Sequence, residues 1–195
     1  MALKMGRMAF TIPAPGFDAR GNVELAKRAE QDWGYPAIWM AETAGPDSFS
    51  LAGAIAVSTS TIEIGTAIVP VYNRTPAVLA MTAATLAQLS GDRFILGLGT
   101  SSHAIMRDWN GVDFRAPLGH VRESVALIRQ TLTQEKTEFE GKYFRSHGLR
   151  LGAKPKKPLR IYLAALREQM CELAGEIGEG LIINFQPASA MPRIL

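Results

Sequence analysis

The sequence predicts an α/β fold organised on a parallel sheet, and three observations carry the prediction. Short apolar runs alternate with longer segments of helical spacing along the chain. The apolar runs are nearly uninterrupted, Ile62–Val69 above all, which suits strands covered on both faces. The joints between runs carry helix-starting and helix-stopping residues, so successive strands are linked by helices as right-handed crossovers.

Each element follows from its residues. Arg7–Ile12 reads as a first strand that ends at the Pro13 and Pro15 turn. Asn22 is the expected cap of a helix running to Trp33, with Val23, Leu25, Ala26 and Ala29 at helical spacing. Gly34 stops it, and Pro36 leads into the strand Ala37–Ala41. The Gly45–Pro46–Asp47 turn precedes a helix over Ser48–Ser58, and Ile62–Val69 is the third strand. Thr75 and Pro76 open a helix to Leu89, with proline at the first helical position, and Ser90–Gly91–Asp92 breaks it. Arg93–Gly99 is the fourth strand and Leu118–Gln134 a long amphipathic helix. Phe139, Tyr143 and Phe144 around Gly141–Lys142 read as a small hairpin inserted after the fourth helix, and Lys154–Pro158 as a linker. Leu159–Ala165 is a fifth strand, Glu168–Ile177 a helix and Gly180–Phe185 a sixth strand, with Pro187–Leu195 the start of another helix. Six strands in series fit either an open doubly wound sheet or most of a closed barrel. A barrel takes eight strand–helix units and typically about 250 residues, so on that reading two units are lacking.

Composition bounds the function. The chain has 195 residues, 47% hydrophobic and 20% charged, which excludes a disordered chain. Its mean hydropathy is +0.05. No apolar run approaches the ~18–20 residues of a membrane span. Met1–Arg7 has two basic residues but no apolar core of a signal peptide. Cys171 is the single cysteine, which excludes an internal disulfide and any multi-cysteine metal site and fits a reducing cytoplasm. The net charge of +3 comes from interspersed signs, so neither nucleic acid nor membrane is an expected partner.

In both architectures function collects at the carboxyl ends of the strands. Those ends are Glu42–Thr43, Thr66–Tyr72, Gly97–His103, Ala164–Glu168 and Asn184–Gln186. Gly97–Leu98–Gly99–Thr100–Ser101–Ser102 is the richest: the glycines permit close backbone approach, and the hydroxyls and amides that follow suit a phosphate or an anionic ring edge. The competing reading is that Gly97 and Gly99 make space in the sheet and Ser101 caps a helix. The third glycine of a dinucleotide fingerprint is absent. Glu42 ends an apolar strand, where desolvation would favour proton transfer, against the plainer reading of a solvated or salt-bridged carboxylate. His103 is a candidate proton donor, weighed against an ordinary hydrogen-bonding histidine. His120 and His147 lie in helical and hairpin contexts, and no histidine pair has metal-ligand spacing. Cys171 reads as a buried structural thiol. Trp39, Tyr72 and Trp109 are candidate walls for a flat ligand, with Trp109 placed in a loop.

The run Leu89–Ser90–Gly91–Asp92–Arg93–Phe94–Ile95–Leu96–Gly97–Leu98–Gly99–Thr100 resembles a signature of the luciferase-like monooxygenase superfamily. Ile64–Gly65–Thr66–Ala67–Ile68 followed by Arg74–Thr75–Pro76 is similar to its third-strand segment. Ser101–Ser102–His103 through Trp109–Asn110–Gly111, then Pro117 and Arg122–Glu123, resembles the branch that uses the deazaflavin coenzyme F420, as do Ile161–Ala165 and Leu173–Ile177. The likeness runs in order along nearly the whole chain. It implies an eight-stranded (β/α) barrel, here one domain over residues 1–195 with about six units, and a cofactor at the carboxyl-terminal mouth. It further implies a non-prolyl cis peptide at Ala67–Ile68, with Ile68 bulged against the cofactor ring. Gly99, Thr100, Ser101 and Ser102 match residues that hold the cofactor's ribityl and phosphate, and Ala165 to Arg167 match a second cofactor loop. There Leu166–Arg167–Glu168 replaces the Gly-Gly-Pro of some members. Glu42 matches an acidic residue beside the ring. Thr43 stands where sugar-phosphate dehydrogenases of the family have a catalytic histidine, which argues against that substrate and leaves His103 as the nearest donor.

The resemblance implies an F420-dependent oxidoreductase that moves a hydride between the cofactor and a small organic substrate. The alternatives are an FMN-dependent monooxygenase and a non-catalytic flavin- or deazaflavin-binding remnant. An open barrel edge would also favour a homo-oligomer.

Overall fold

The computed structural model describes residues 8–194. Arg7 of the expected first strand, the Met1–Arg7 segment and Leu195 lie outside the described residues. In chain order the elements are β1 (Phe10–Ile12), α1 (Ala19–Gln31), β2 (Ala37–Met40), α2 (Ser48–Ser58), β3 (Glu63–Thr66), β4 (Val69–Pro70), α3 (Pro76–Ser90), β5 (Phe94–Gly99) and a π-helical turn over Ala104–Trp109. There follow α4 (Pro117–Thr133), β6 (Thr137–Glu140), β7 (Arg145–Leu149), β8 (Arg160–Ala164), α5 (Glu168–Ile177), β9 (Gly180–Ile182), a 3₁₀ turn (Ala188–Ala190) and α6 (Met191–Ile194).

The strand order decides between the two architectures left open by the sequence. The sheet runs β1-β2-β3-β5-β8-β9, with β4 continuing the line of β3 along β5. Every pair in it is parallel. A doubly wound sheet reverses its order at a switch point; this one never reverses. The sheet is also curled. Trp39 on β2 and Tyr162 on β8 are three strand spacings apart, ~14 Å in a flat sheet, yet their rings stack at 5.6 Å. The fold is therefore an arc of a (β/α) barrel. β6 and β7 form the separate antiparallel hairpin that the sequence placed after the fourth helix.

Helices cover the convex face. Ile38, Met40, Ile64, Leu96, Leu98, Ile161 and Leu163 are at most 0% exposed and pack in one core with α1–α5. Burial of this kind contributes roughly 1.5–3 kcal/mol per large side chain before chain entropy is set against it. α2 and α3 carry no charged residue; each buries one side against its neighbours and leaves apolar side chains such as Val57 and Met81 exposed on the other. Asp47 and Thr75 cap them through Ser50 N and Val78 N.

Four sequence expectations change. Asp18, not Asn22, caps α1; Asn22 is fully buried inside that helix, where its side chain accepts from Ala14 N and donates to the carbonyls of Phe17 and Asp18. The loop after Pro15 consumes that amide, so the earlier residue is left to cap. The apolar run Ile62–Val69 is not one continuous strand: it breaks between β3 and β4 at Ala67–Ile68, where the peptide is cis as the family resemblance implied. Trp109 ends a π-helical turn and not a loop, and the final helix is a 3₁₀ turn followed by the four residues of α6.

Candidate functional site

The break in the third strand builds the floor of the site. Gly65 pairs with Ile95 and Val69 with Leu98, so four steps on one strand oppose three on the other. That is a bulge of one residue. Gly97 lies beneath it: a Cβ there would come within 1.7 Å of the Thr66 carbonyl oxygen. Thr66 fills the gap in the ladder by bonding Gly97 through its hydroxyl, and its own backbone carbonyl occupies the space a side chain would take. The Ala67–Ile68 peptide in the bulge is cis, and Ala67 N donates to Met40 O at 2.7 Å on the neighbouring strand. Ile68 then turns onto β5. A Cβ on Gly99 would meet Ile68 Cγ1 and Ala164 Cβ, each at 3.0 Å. Ile68, Gly99 and Ala164 thus converge at the carboxyl ends of β4, β5 and β8, and Ile68 and Ala164 remain half-exposed.

Beyond Gly99 the chain makes an open loop. Ser101 adopts φ 60, a left-handed conformation unusual for a residue with a Cβ. Among the described residues no backbone carbonyl accepts from the amides of Thr100, Ser101 or Ser102. The Ser102 hydroxyl accepts from Ile105 N at 3.3 Å, so Ser102 and not Ser101 makes the capping contact. The glycines do make space, and the loop beyond them still presents three amides and the Thr100 and Ser101 hydroxyls. This donor set fits oxygen-rich groups such as a phosphate or ribityl chain.

Arg167 faces solvent at the start of α5, its carbonyl accepting from Met170 N and Cys171 N. Ala165 is buried and its amide donates to Ile182 O at 3.1 Å, so any contact from it is made through Cβ or carbonyl.

Glu42 is held, not free. Arg74 grips it through two bonds, Nη1 to Oε1 at 2.6 Å and Nη2 to Oε2 at 3.1 Å, and also reaches Asp47. Ser48 N donates to Glu42 Oε2 at 3.4 Å, and the guanidinium lies 4.9 Å from the Phe49 ring centre. Burial alone would pull Arg74 down, but Glu42 and Asp47 more than offset it and hold it above its ordinary value. Burial pushes Asp47 up, and the Ser50 and Arg74 contacts more than offset that, holding it below the usual carboxylate value. The salt-bridged reading of Glu42 is the one the structure has.

Rings line the other side. Tyr72, just past β4, packs on Phe114 at 5.2 Å and on His120 at 4.7 Å. His103 meets Phe114 at 4.3 Å, and His120 meets Tyr143 at 4.4 Å. Burial, with Tyr143 and Asp113 nearby, pushes the Tyr72 phenol up to about 12. Glu42 follows β2, whose Met40 carbonyl accepts from Ala67, and Tyr72 and His103 follow β4 and β5; the strand ends therefore gather Glu42, Ile68, Gly99, Thr100–His103 and Tyr72 at one end of the arc. Trp39 lies lower, on the concave face against Tyr162. Trp109 is 60% exposed. His147 lies apart on β7, between Glu138 and Glu140. Cys171 is half-buried against the core. A surface cavity of about 830 Å³ between Phe10, Trp33 and Tyr35 sits at the opposite end of the sheet.

Two residues of this end were not expected there: Arg74, present in the sequence only as part of the family-like third-strand segment, and Phe114. Arg74 was visible as a cation one residue before a helix cap; Phe114 carries no signal in its spacing. Among the described residues no group of three or more His, Cys, Asp or Glu is placed to hold a metal, and no helix is long and apolar enough to cross a membrane.

The chain is similar to 5,10-methylenetetrahydromethanopterin reductase of Methanolobus tindarius, 34% identical over 160 residues, covering 82% of this chain and 48% of that protein. It is 31% identical over 194 residues to the F420-dependent glucose-6-phosphate dehydrogenase of Amycolatopsis mediterranei, covering 91% of this chain and 57% of that protein. The chain thus spans about half the length of these curated relatives. Among solved structures it is similar to the coenzyme F420 dependent tetrahydromethanopterin reductase of Methanopyrus kandleri, with TM-score 0.83 and 27% identity over 91% of this chain and 55% of that one. An F420-dependent secondary alcohol dehydrogenase shares the fold at TM-score 0.87 and 21% identity, over 95% of this chain and 62% of that one. The sequence model of the luciferase-like monooxygenase family matches residues 5–194, and the chain belongs to that family.

Proposed function

We propose that this chain binds coenzyme F420 at the carboxyl-terminal end of its curled sheet and serves an oxidoreductase that moves a hydride between that cofactor and a small organic substrate. The observation that carries the proposal is the convergence of Ile68, Gly99 and Ala164 beneath the open Thr100–Ser102 loop. Relatives about a third identical in sequence are F420-dependent in name. When bound, the deazaflavin supplies the hydride chemistry; the protein supplies position, dryness and protons.

Each residue then has a role. Ile68 offers the apolar side chain on which a planar ring rests, with the Ala67 backbone beside it. Gly99 lets the ring edge approach the sheet, and Thr100, Ser101 and Ser102 donate to ribityl or phosphate oxygens. Arg167 adds a cationic contact from the start of α5, with Ala165 packing below it. His103 donates the proton at the substrate's heteroatom. Glu42, fixed by Arg74, presents a carboxylate of constant position beside the ring. Self-association belongs to the same proposal: among the described residues β1 and β9 each pair on one side only.

Titration with F420 tests the reading through tryptophan fluorescence. Trp39 and Trp109 lie on the concave face and beside the loop, while Trp33 reports from the far end. Saturable quenching by F420 that Trp33→Phe preserves and Trp39→Phe diminishes supports the proposal. Saturable quenching by FMN with none by F420 would replace it with the flavin monooxygenase reading. Size-exclusion chromatography reads the oligomeric state.

A further inference from the structure

The segment between β5 and α4 is bracketed by two non-glycine residues in left-handed backbone, Ser101 at φ 60 and Ala116 at φ 46. Its chain leaves the sheet at one and enters the helix at the other. Between them only a six-residue π-helical turn is regular. Besides its own local backbone bonds and the buried Met106, the segment is positioned by side-chain contacts that form a short series. The Tyr72 hydroxyl donates to Arg115 O at 2.7 Å, pinning the backbone next to Phe114. The Tyr72 ring packs against Phe114 at 5.2 Å, and Phe114 meets the His103 ring at 4.3 Å and 61°. His120 backs Tyr72 at 4.7 Å, and its Nδ1 lies 3.0 Å from Ala116 O, at the second bracket.

His103 differs from the other two histidines. His120 and His147 have ring nitrogens within hydrogen-bond distance of oxygen acceptors. His103 is exposed, and among the described residues its close ring contact is Phe114. An exposed imidazole with no polar tether rotates freely about two side-chain torsions. An aromatic neighbour selects among those rotamers through its quadrupole and leaves both nitrogens available to a ligand.

From this geometry we infer that Phe114, braced by Tyr72, is a positioning residue that holds the His103 imidazole in one orientation beside the cofactor loop. Phe114 itself touches no reacting atom. This inference rests on the proposed role of His103, but the contact it asserts is readable without any turnover. A donor displaced by about 1 Å loses much of its effect on rate, so a ring that fixes the donor also fixes the rate.

Nuclear magnetic resonance of the intact chain tests the inference, with the His103 ring signals assigned by their disappearance in His103→Gln. Phe114 should move the His103 Cε1–H and Cδ2–H resonances by its ring current. Phe114→Leu, which keeps apolar volume, should return them to free-histidine positions; Phe114→Tyr should preserve the displacement, and Tyr72→Phe should reduce it. Circular dichroism selects a temperature at which every variant is folded. Should Phe114→Leu fail to fold, the comparison of Tyr72→Phe with the parent protein decides. Unchanged His103 resonances in Phe114→Leu, or in Tyr72→Phe when that variant must decide, overturn the inference. In a second arm, saturation transfer from bound F420 to the His103 ring should be present in the parent and in Phe114→Tyr and lost in Phe114→Leu. A lower melting temperature alone would not produce that loss. If F420 binds but no transfer reaches His103 in the parent, the positioning role is overturned while the cofactor proposal stands. If F420 does not bind, the cofactor proposal fails and the ring-current arm judges the Phe114 contact alone.

Discussion

Thr66 closes the sheet onto Gly97 with a single hydroxyl, which accepts from the Gly97 amide at 2.8 Å and donates to the Gly97 carbonyl at 2.8 Å. The bulge at Ala67–Ile68 takes the third strand out of register, and without Thr66 both groups would be buried and unpaired. Thr66→Val removes the hydroxyl at constant shape. Each orphaned group costs about 1–3 kcal/mol, so the variant should lose about 2–5 kcal/mol of stability by urea denaturation. Thr66→Ser, which keeps the oxygen, should recover most of it.

Arg93 joins three elements through their carbonyls and, among the described residues, makes no salt bridge. Its guanidinium donates to the carbonyls of Ser90 at 2.6 Å, Ile62 at 2.6 Å, Thr59 at 2.9 Å and Ala56 at 3.0 Å, and to the Thr59 hydroxyl at 3.1 Å. The ends of α2 and α3 and the approach to β3 meet in this one planar fork. Burial pulls its pKa below the ordinary arginine value. Arg93→Lys keeps the charge but has no fork, leaving two or three carbonyls unanswered. A loss of about 2–4 kcal/mol is expected, visible as a lowered urea midpoint with little change in slope.

Residues whose chemistry is local were legible in the sequence, and residues whose partners are distant were not. Thr75 with Pro76 and Asp47 before Ser48 announce helix starts because a cap bonds three residues onward. Ile62–Val69 announced a buried strand because its apolar run is continuous; the bulge inside it was legible only through the family resemblance, because physically it depends on Gly97, which follows some thirty residues later. Asn22 misled because its side-chain type fits a cap equally well, and only the fold shows the loop at Ala14 that occupies it. In the candidate site, the open backbone after Gly99 was readable from the glycines, while what it binds is the proposal. The Arg74 grip on Glu42 joins two strand ends, and no spacing rule reaches across them. The arc itself follows from strand order, which alternation alone leaves undetermined.

The Glu42–Arg74 pair should behave as a unit. Its side chains are 13% and 22% exposed, so the charges are largely desolvated and depend on one another. Arg74→Met leaves Glu42 with a single long contact from Ser48 N and leaves Asp47 without its cation. Removing one partner of a desolvated pair costs up to about 3–5 kcal/mol, and partial exposure brings the expected loss nearer 2 kcal/mol. Glu42→Gln, which retains an acceptor, should cost less. A double-mutant cycle with Glu42→Gln and Arg74→Met measures the coupling, and additivity within about 0.5 kcal/mol would show the pair to be energetically idle.

Glu123 docks the hairpin through backbone alone, accepting from Lys142 N at 2.8 Å, Tyr143 N at 2.8 Å and Phe144 N at 3.0 Å. Partial burial pushes its carboxyl up, but the three amides more than offset that and hold it below its ordinary value of 4.5. A carboxyl whose folded value lies below its unfolded one contributes stability that is complete above the unfolded value. The contribution is lost as pH falls through the folded value, because protonation then removes the charge the amides answer. Melting of the parent protein should therefore lose more stability on the acid side, below pH 4.5, than Glu123→Gln does. The magnitude is about 1 kcal/mol, small because the carboxylate is solvent-accessible. Amide exchange at Tyr143 and Phe144 locates the effect: both should exchange faster in Glu123→Gln at neutral pH, and equally fast in the two proteins once Glu123 is protonated.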